Sequence, residues 1–385
     1  MTSQLNNAED KSVEAVPATM QAVVYRGIND LRLETVPVPV IGPGELLVKI
    51  VSCGVCGTDL KKISTGSHSA PRVFGHEMAG TVAQVGAGVT NFALGDRVMV
   101  FHHIPCGKCY YCRKNTPAQC AQYKKVGATA GFEPSGGGFS QYIRVSDWIV
   151  ANRGVVRIPD GVPFEQAAFM EPVNTVLKGV KHLNLAADDT VLVIGQGSIG
   201  ILLAALSQRT GARVFTSDLY HERHAIAAKF GLHLPIHAGL EDVVERVKAE
   251  TEGRGADAVV LAVGANSLIK TAMSAVRPGG RVMLFAQTQH TEAVFDPGQV
   301  CMDEKSLIGS YSASAAILDE VVGLVFDGYT KGFDLTQLIS HRFPLDQATK
   351  AIEIASHPTA SSMKIMIEPV SGAGAERGGE RWPER

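Results

Sequence analysis

The sequence predicts an α/β protein of two domains, a β-rich one and one built on a doubly wound parallel sheet. Three observations carry that reading. The chain has 385 residues, enough for two cores at roughly 150 residues per domain. From residue 21 to about 159, short apolar runs are broken by Gly and Pro at the spacing of turns in all-β structure. From Thr190 the rhythm becomes strand, Gly-rich turn, helix, strand, which means βαβ units and a parallel sheet.

The elements follow in order. Residues 1–19 read as a loose leader. Strand signals come at 22–25, 45–51, 80–85 and 96–101. The run at 190–194 is continuously apolar, as a strand buried on both faces should be. Helical spacing follows at Ile199, Leu202, Leu203 and Leu206. Further strands are expected at 213–217, 258–263, 281–286 and 307–311, with helices at 221–230, 241–250 and 266–276. Helical segments at 315–329 and 345–357 precede a closing strand at 363–367, which looks like a return to the first domain. The Gly-rich residues 371–385 read as a frayed tail.

Composition excludes several classes. Lys and Arg number 36 against 38 Asp and Glu, so no basic excess offers a nucleic-acid footprint. An apolar share of 45% with 19% charged is that of a globular protein and not of a disordered chain. Apolar runs such as 201–206 fall far short of the ~18 residues a spanning helix needs, so no membrane partner is expected. The polar N-terminus lacks a signal-peptide pattern, and a cytoplasmic location is expected. In that setting, four of the seven cysteines crowded into residues 106–120 point to metal and not to disulfides.

Three motifs carry chemistry. Gly195-Gln-Gly-Ser-Ile-Gly200 follows a predicted strand and opens a predicted helix, and Asp218 lies 23 residues after Gly195. That context defines a dinucleotide site: Gly195 turns, Gly197 admits the pyrophosphate, and Gly200 packs helix on strand. Ser198 and Ile199 open the helix, whose N-terminus offers N–H groups to the phosphates. Asp218 should accept from the ribose hydroxyls and repel a 2′-phosphate, which favours NAD, although Arg223 could offset that repulsion. The second motif is Cys106-x2-Cys109-x2-Cys112-x7-Cys120, which can close a tetrahedral structural zinc site. An iron–sulfur cluster is the rival, but its run ends in Pro where Ala121 stands here. The third joins Cys56-Gly-Thr-Asp59 to Gly75-His76-Glu77, with Glu171 in Met170-Glu-Pro172. Each piece alone reads equally as core or surface; together they form a candidate N/S/O set for a catalytic zinc with an open position.

These residues resemble a known family. Gly75-His-Glu-x2-Gly80-x5-Gly86-x2-Val89 is similar to the signature of the zinc-dependent medium-chain alcohol dehydrogenases. Cys53-Gly-Val-Cys56-Gly-Thr-Asp59, Gly95-Asp-Arg-Val98, the four-Cys lobe and the nucleotide fingerprint fall in that family's order, over roughly residues 20–370. The resemblance implies a GroES-like catalytic domain (20–165 and 313–370) interrupted by a Rossmann domain (166–312). It implies one catalytic and one structural zinc per chain, and NAD as hydride acceptor. Cys56 and His76 take zinc-ligand positions, while Glu77 and Glu171 match the sorbitol and threonine dehydrogenase branch. Thr58 matches the hydroxyl that relays the substrate proton. Lys61 stands where the family commonly has His, and is expected to donate to the cofactor's ribose or pyrophosphate. The expected reaction is oxidation of a secondary alcohol, a polyol or sugar alcohol, with threonine-type and general alcohol dehydrogenases as alternatives. A non-catalytic nucleotide-binding protein of the same fold is the alternative from another class. A homodimer or homotetramer pairing through the strand at 307–311 is also expected.

Overall fold

The structure is a computed structural model that describes residues 15–123, 125–132, 135–286 and 292–369. Residues 1–14 of the expected leader and the tail at 371–385 lie outside the described residues. The leader ends earlier than expected, because strand β1 already begins at Thr19. Met20 and Ala22–Tyr25 are buried there, so the segment is anchored by its own apolar residues.

The first domain holds β1 (Thr19–Gly27), β2 (Asp30–Pro37), β3 (Leu46–Gly54), β4 (Arg72–Val73), β5 (Glu77–Val85), β6 (Arg97–Phe101), β7 (Tyr142–Val145) and β8 (Val155–Arg157). Among the described residues, β2-β1-β4 form one sheet. A second runs β15-β16-β3-β5-β6-β8, with β7 also on β3, where β15 is Ile339–Pro344 and β16 is Lys364–Glu368. The closing strand thus lies antiparallel to β3, with Met366 opposite Gly54. β2 is half exposed, β7 and β8 have only four and three residues, and β15 is mostly half-buried; none has a long apolar run, which is why their signals are weak in sequence.

A six-stranded sheet contains β9 (Thr190–Ile194), β10 (Arg213–Asp218), β11 (Pro235–His237), β12 (Ala256–Leu261), β13 (Val276–Leu284) and β14 (Ser306–Gly309). Its order is β11-β10-β9-β12-β13-β14 and every pairing is parallel. The order reverses between β9 and β12, so a crevice opens outside the carboxyl ends of those two strands. Every residue of β9 is buried, and deleting a side chain such as Leu192 there costs roughly 2–5 kcal/mol. β11 escapes the sequence reading because it has three residues and starts at proline. β13 starts at Val276 and not near 281, the extra residues running through Pro278-Gly-Gly280.

Three helices position the site. Helix α1 (Gly57–Thr65) follows Cys56, α2 (Met170–Leu183) carries Glu171, and α3 (Ser198–Gln208) follows the glycine turn. Helix α4 (His221–Lys229) follows β10.

Candidate metal and cofactor site

Cys56 caps α1: its Sγ accepts from the Thr58 N–H at 3.5 Å, and its own N–H donates to Asp59 Oδ2 at 3.2 Å. This reciprocal cap fixes where the thiol points. The other oxygen of fully buried Asp59 is 3.0 Å from His76 Nδ1. A carboxylate on Nδ1 sets the imidazole's tautomer and leaves Nε2 as the metal-binding nitrogen. Burial pushes the Asp59 carboxyl up, but His76, Lys62 and the Cys56 N–H outweigh it and hold it below the usual range. Burial likewise opposes charge on His76, but Asp59 and Cys56 raise its pKa well above the ordinary value. One ligand atom each of Cys56, His76 and Glu77 lie within 4.8 Å of one another. Thiolate, imidazole and carboxylate at that separation fit a zinc ion with one position open.

Glu171 is buried beside this set but is not part of it. Its Oε1 accepts from Thr175 Oγ1 at 3.4 Å. Burial pushes its carboxyl up to about 7; His76 pulls it down and Glu77 pushes it up. Glu77 has a partner that the sequence reading missed: the ammonium of Lys364 on β16 pairs with its Oε2 and donates to the Val55 carbonyl at 3.1 Å. Both side chains are at most 5% exposed. Gly54 makes room for the pair, since a Cβ there would sit 2.0 Å from Glu77 Oε2 and 2.7 Å from Lys364 Cε. A charged residue inside the apolar run 363–367 is the one signal that could have found it. Thr58 is half-buried in the first turn of α1, and Lys61 is half-buried one turn later.

A file of rings leaves the site. His76 and His102 have centroids 4.8 Å apart, His102 and His103 3.6 Å, His103 and Tyr123 3.8 Å. Tyr123 Oη then meets Ser312 Oγ at 2.6 Å. The His pair was legible in sequence only as two residues preceding the first lobe cysteine.

Cys106, Cys109, Cys112 and Cys120 form the other donor cluster, again within 4.8 Å. Backbone N–H groups serve the sulfurs: Cys109 N–H donates to Cys106 Sγ and Cys106 N–H to Cys120 Sγ, both at 3.4 Å. Backbone donors from Lys108 and Cys109 lower Cys106 to about 6, whereas burial and its thiol neighbours push Cys112 to about 12. Four sulfurs with no open position fit a structural zinc.

At the second site, Gly195 has φ +96°, and a Cβ on Gly200 would sit 1.7 Å from the Gly195 carbonyl. A Cβ on Gly197 would meet nothing within 4 Å, so open space faces the turn where α3 presents its first N–H groups at Ser198 and Ile199. Asp218 ends β10 with its carboxylate already in use. Oδ1 accepts from Leu219 N (2.8 Å) and Tyr220 N (3.2 Å), and Oδ2 from Gln196 N (2.6 Å) and Arg223 Nη1 (3.3 Å). Arg223 also donates to the Thr359 carbonyl at 3.1 Å, joining α4 to the loop before β16.

Residues 42–160 match the alcohol dehydrogenase GroES-like domain and 198–327 the zinc-binding dehydrogenase domain. Sorbitol dehydrogenase of Bacillus subtilis is 28% identical over 92% of this chain and 98% of its own. L-threonine 3-dehydrogenase of Pyrococcus abyssi is 34% identical over 72% of this chain and 76% of its own. A zinc-binding dehydrogenase of Sinorhizobium meliloti 1021 bound to NADP superposes with TM-score 0.81 at 27% identity, covering 92% of this chain and all of that one, 100%. The chain belongs to the zinc-dependent medium-chain alcohol dehydrogenase family, in its polyol and threonine branch. It is a dehydrogenase that works with zinc and a nicotinamide cofactor. No helix among the described residues is long and apolar enough to cross a membrane.

Proposed function

We propose that this enzyme oxidises the secondary hydroxyl of a polyol or sugar alcohol with NAD. The observation that carries the reading is the third donor: a carboxylate, Glu77, completes the set with Cys56 and His76, as the resemblance implies for the sorbitol and threonine branch. Within that branch, the match to sorbitol dehydrogenase over 92% of the chain supports a polyol. When bound there, zinc polarises the alcohol and lowers its pKa. Cys56, His76 and Glu77 would hold it, with Glu171 placed to tune it or its water. Thr58 Oγ1, held in the turn that Cys56 caps, takes the substrate's hydroxyl proton and passes it outward, with Lys61 next on the same helix. The glycine turn, Ser198, Ile199 and the α3 N-terminus orient the pyrophosphate, so the chain's part in hydride transfer is positioning. Asp218 supports NAD over NADP, because a carboxylate disfavours a second anion beside it. The four cysteines would hold a second, structural zinc.

A screen of NAD reduction with sorbitol, xylitol, threonine and primary alcohols tests the reading. Turnover of a polyol at least tenfold above threonine is expected; preference for threonine establishes the second reading, which the 34% identity to the threonine enzyme favours. Pairing of subunits through β14 fits the half-buried Leu307 and Ile308 on that edge strand and the exposed Met302 beside it, giving a homodimer or homotetramer that sedimentation measures. A lobe of four cysteines grouped as metal ligands and not paired in disulfides suits a reducing, cytoplasmic location.

A further inference from the structure

Three histidines gather at the adenosine end of the cofactor crevice, outside the glycine turn and the metal site. In the parallel register Asp218 ends β10 directly beside His237 at the end of β11, and the Ala238 N–H donates to the Asp218 carbonyl at 2.9 Å. His221 opens α4 three residues after Asp218, and its ring lies 4.1 Å from that of His237 at 37°. His224, one turn on, lies 6.4 Å from His237. His221 is exposed, His237 half-buried and His224 buried.

The charges around this cluster are few. α4 contributes Arg223, paired to Asp218, and exposed Glu222. The β11 side contributes Glu241, whose Oε1 accepts from the His237 N–H at 2.9 Å while Oε2 pairs with Arg246 at 2.8 Å. Asp218 is paired with Arg223 and Glu241 with Arg246, which also reaches Glu250 at 3.5 Å, while Glu222 stays at the exposed edge beside His221. Burial lowers His224's pKa, with Asp218 opposing, and places it behind the exposed His221 and half-buried His237. The imidazole is the side chain whose charge changes between pH 5 and 8.

In a dinucleotide site of this topology, the carboxylate at the end of the second strand meets the 2′-position of the adenosine ribose. A 2′-phosphate entering there meets Asp218 but also Arg223 and the rims of β11 and α4. We propose that His221 and His237 form a proton-dependent 2′-phosphate pocket beside Asp218, so that cofactor preference relaxes from NAD toward NADP as the pH falls below neutrality. The proposal rests on the dinucleotide reading of the glycine turn and deepens it by naming what sets its specificity.

The test is the ratio of NADP to NAD affinity, by fluorescence titration at pH 8.0 and 6.0, in wild type, His221→Asn and the double variant His221→Asn/His237→Asn. The probes are the oxidised cofactors without substrate, so the readout needs no turnover. Titration of the 2′-phosphate itself, second pKa near 6, acts in all three proteins and cancels in the comparison. Wild type should gain about tenfold more in relative NADP affinity on acidification than the double variant, with the single variant between. The exposed His221→Asn keeps the test valid where the double variant fails to fold. The same pH dependence in wild type and His221→Asn overturns the pocket. If wild type binds neither cofactor, the dinucleotide reading falls instead.

Discussion

The Glu77–Lys364 pair shows how a charge that the sequence marks only by its place in the apolar run 363–367 takes its role from the fold. A lysine in a closing strand reads as a solvated side chain, and only the register of β16 on β3 brings it under Glu77. Removing one member of a buried pair strands the other charge, at a cost of about 3–5 kcal/mol, whereas replacing both is far milder. Metal-free Lys364→Met should lose that much in urea unfolding, and Glu77→Gln/Lys364→Met should recover most of it. A single-variant loss below about 1 kcal/mol contradicts the pair's role. Glu171 gives a second residue-level outcome. Its native pKa of about 7 exceeds the ordinary 4.5, so between those values the native state holds a proton that the unfolded chain has released. Its contribution is complete below pH 4.5 and is lost as the pH rises through 7. Metal-free wild type should therefore lose stability between about pH 5 and 8 relative to Glu171→Gln. Parallel urea midpoints for the two proteins count against this.

Among the elements, legibility followed burial on both faces. The β9 and β10 runs read almost to the residue because a strand covered by helices must be continuously apolar. The three-residue β11 carries too little pattern, yet it brings His237 to Asp218. At the metal site, motif spacing offered only a candidate set and the family resemblance named its members; the fold brings Cys56, His76 and Glu77 within 4.8 Å of one another. Asp59 stood inside a quoted motif, but its double role became apparent only when α1 and the turn before β5 met. The lobe and α1 should fail differently. Cys109→Ser opens a site whose metal contributes folding energy, so it should lose one zinc equivalent and melt earlier. Cys56→Ser should lose the other equivalent and turnover while melting within a few degrees of wild type. One zinc or none in active wild-type protein refutes the two-site assignment.

Across the whole molecule, helix α2 ties the metal site to the chain where it leaves the cofactor sheet. Glu171, Asn174 and Lys178 recur at the spacing of one helix face. Asn174 exchanges two hydrogen bonds with the Ser314 backbone, at 3.1 and 2.7 Å. The buried ammonium of Lys178 donates to the carbonyls of Tyr311 (2.8 Å) and Ser312 (3.4 Å). Ser312 sits at φ +64°, a left-handed conformation that a non-glycine residue holds at some cost, and Tyr123 at the end of the ring file grips its hydroxyl. The crossing is thus held from both the metal side and the lobe side. A hydrogen bond from a charged donor is worth about 1.5–3 kcal/mol, enough to decide whether residues 311–314 keep one conformation. Lys178→Met preserves the length of the side chain and removes the donor. It should raise deuterium uptake at 311–314 and lower kcat/KM about tenfold, with both zinc equivalents retained, because geometry between the two sites loosens while each site stays intact. A purely structural lysine would lower the melting temperature and leave kcat/KM alone, and that result would separate α2's packing from any part in catalysis.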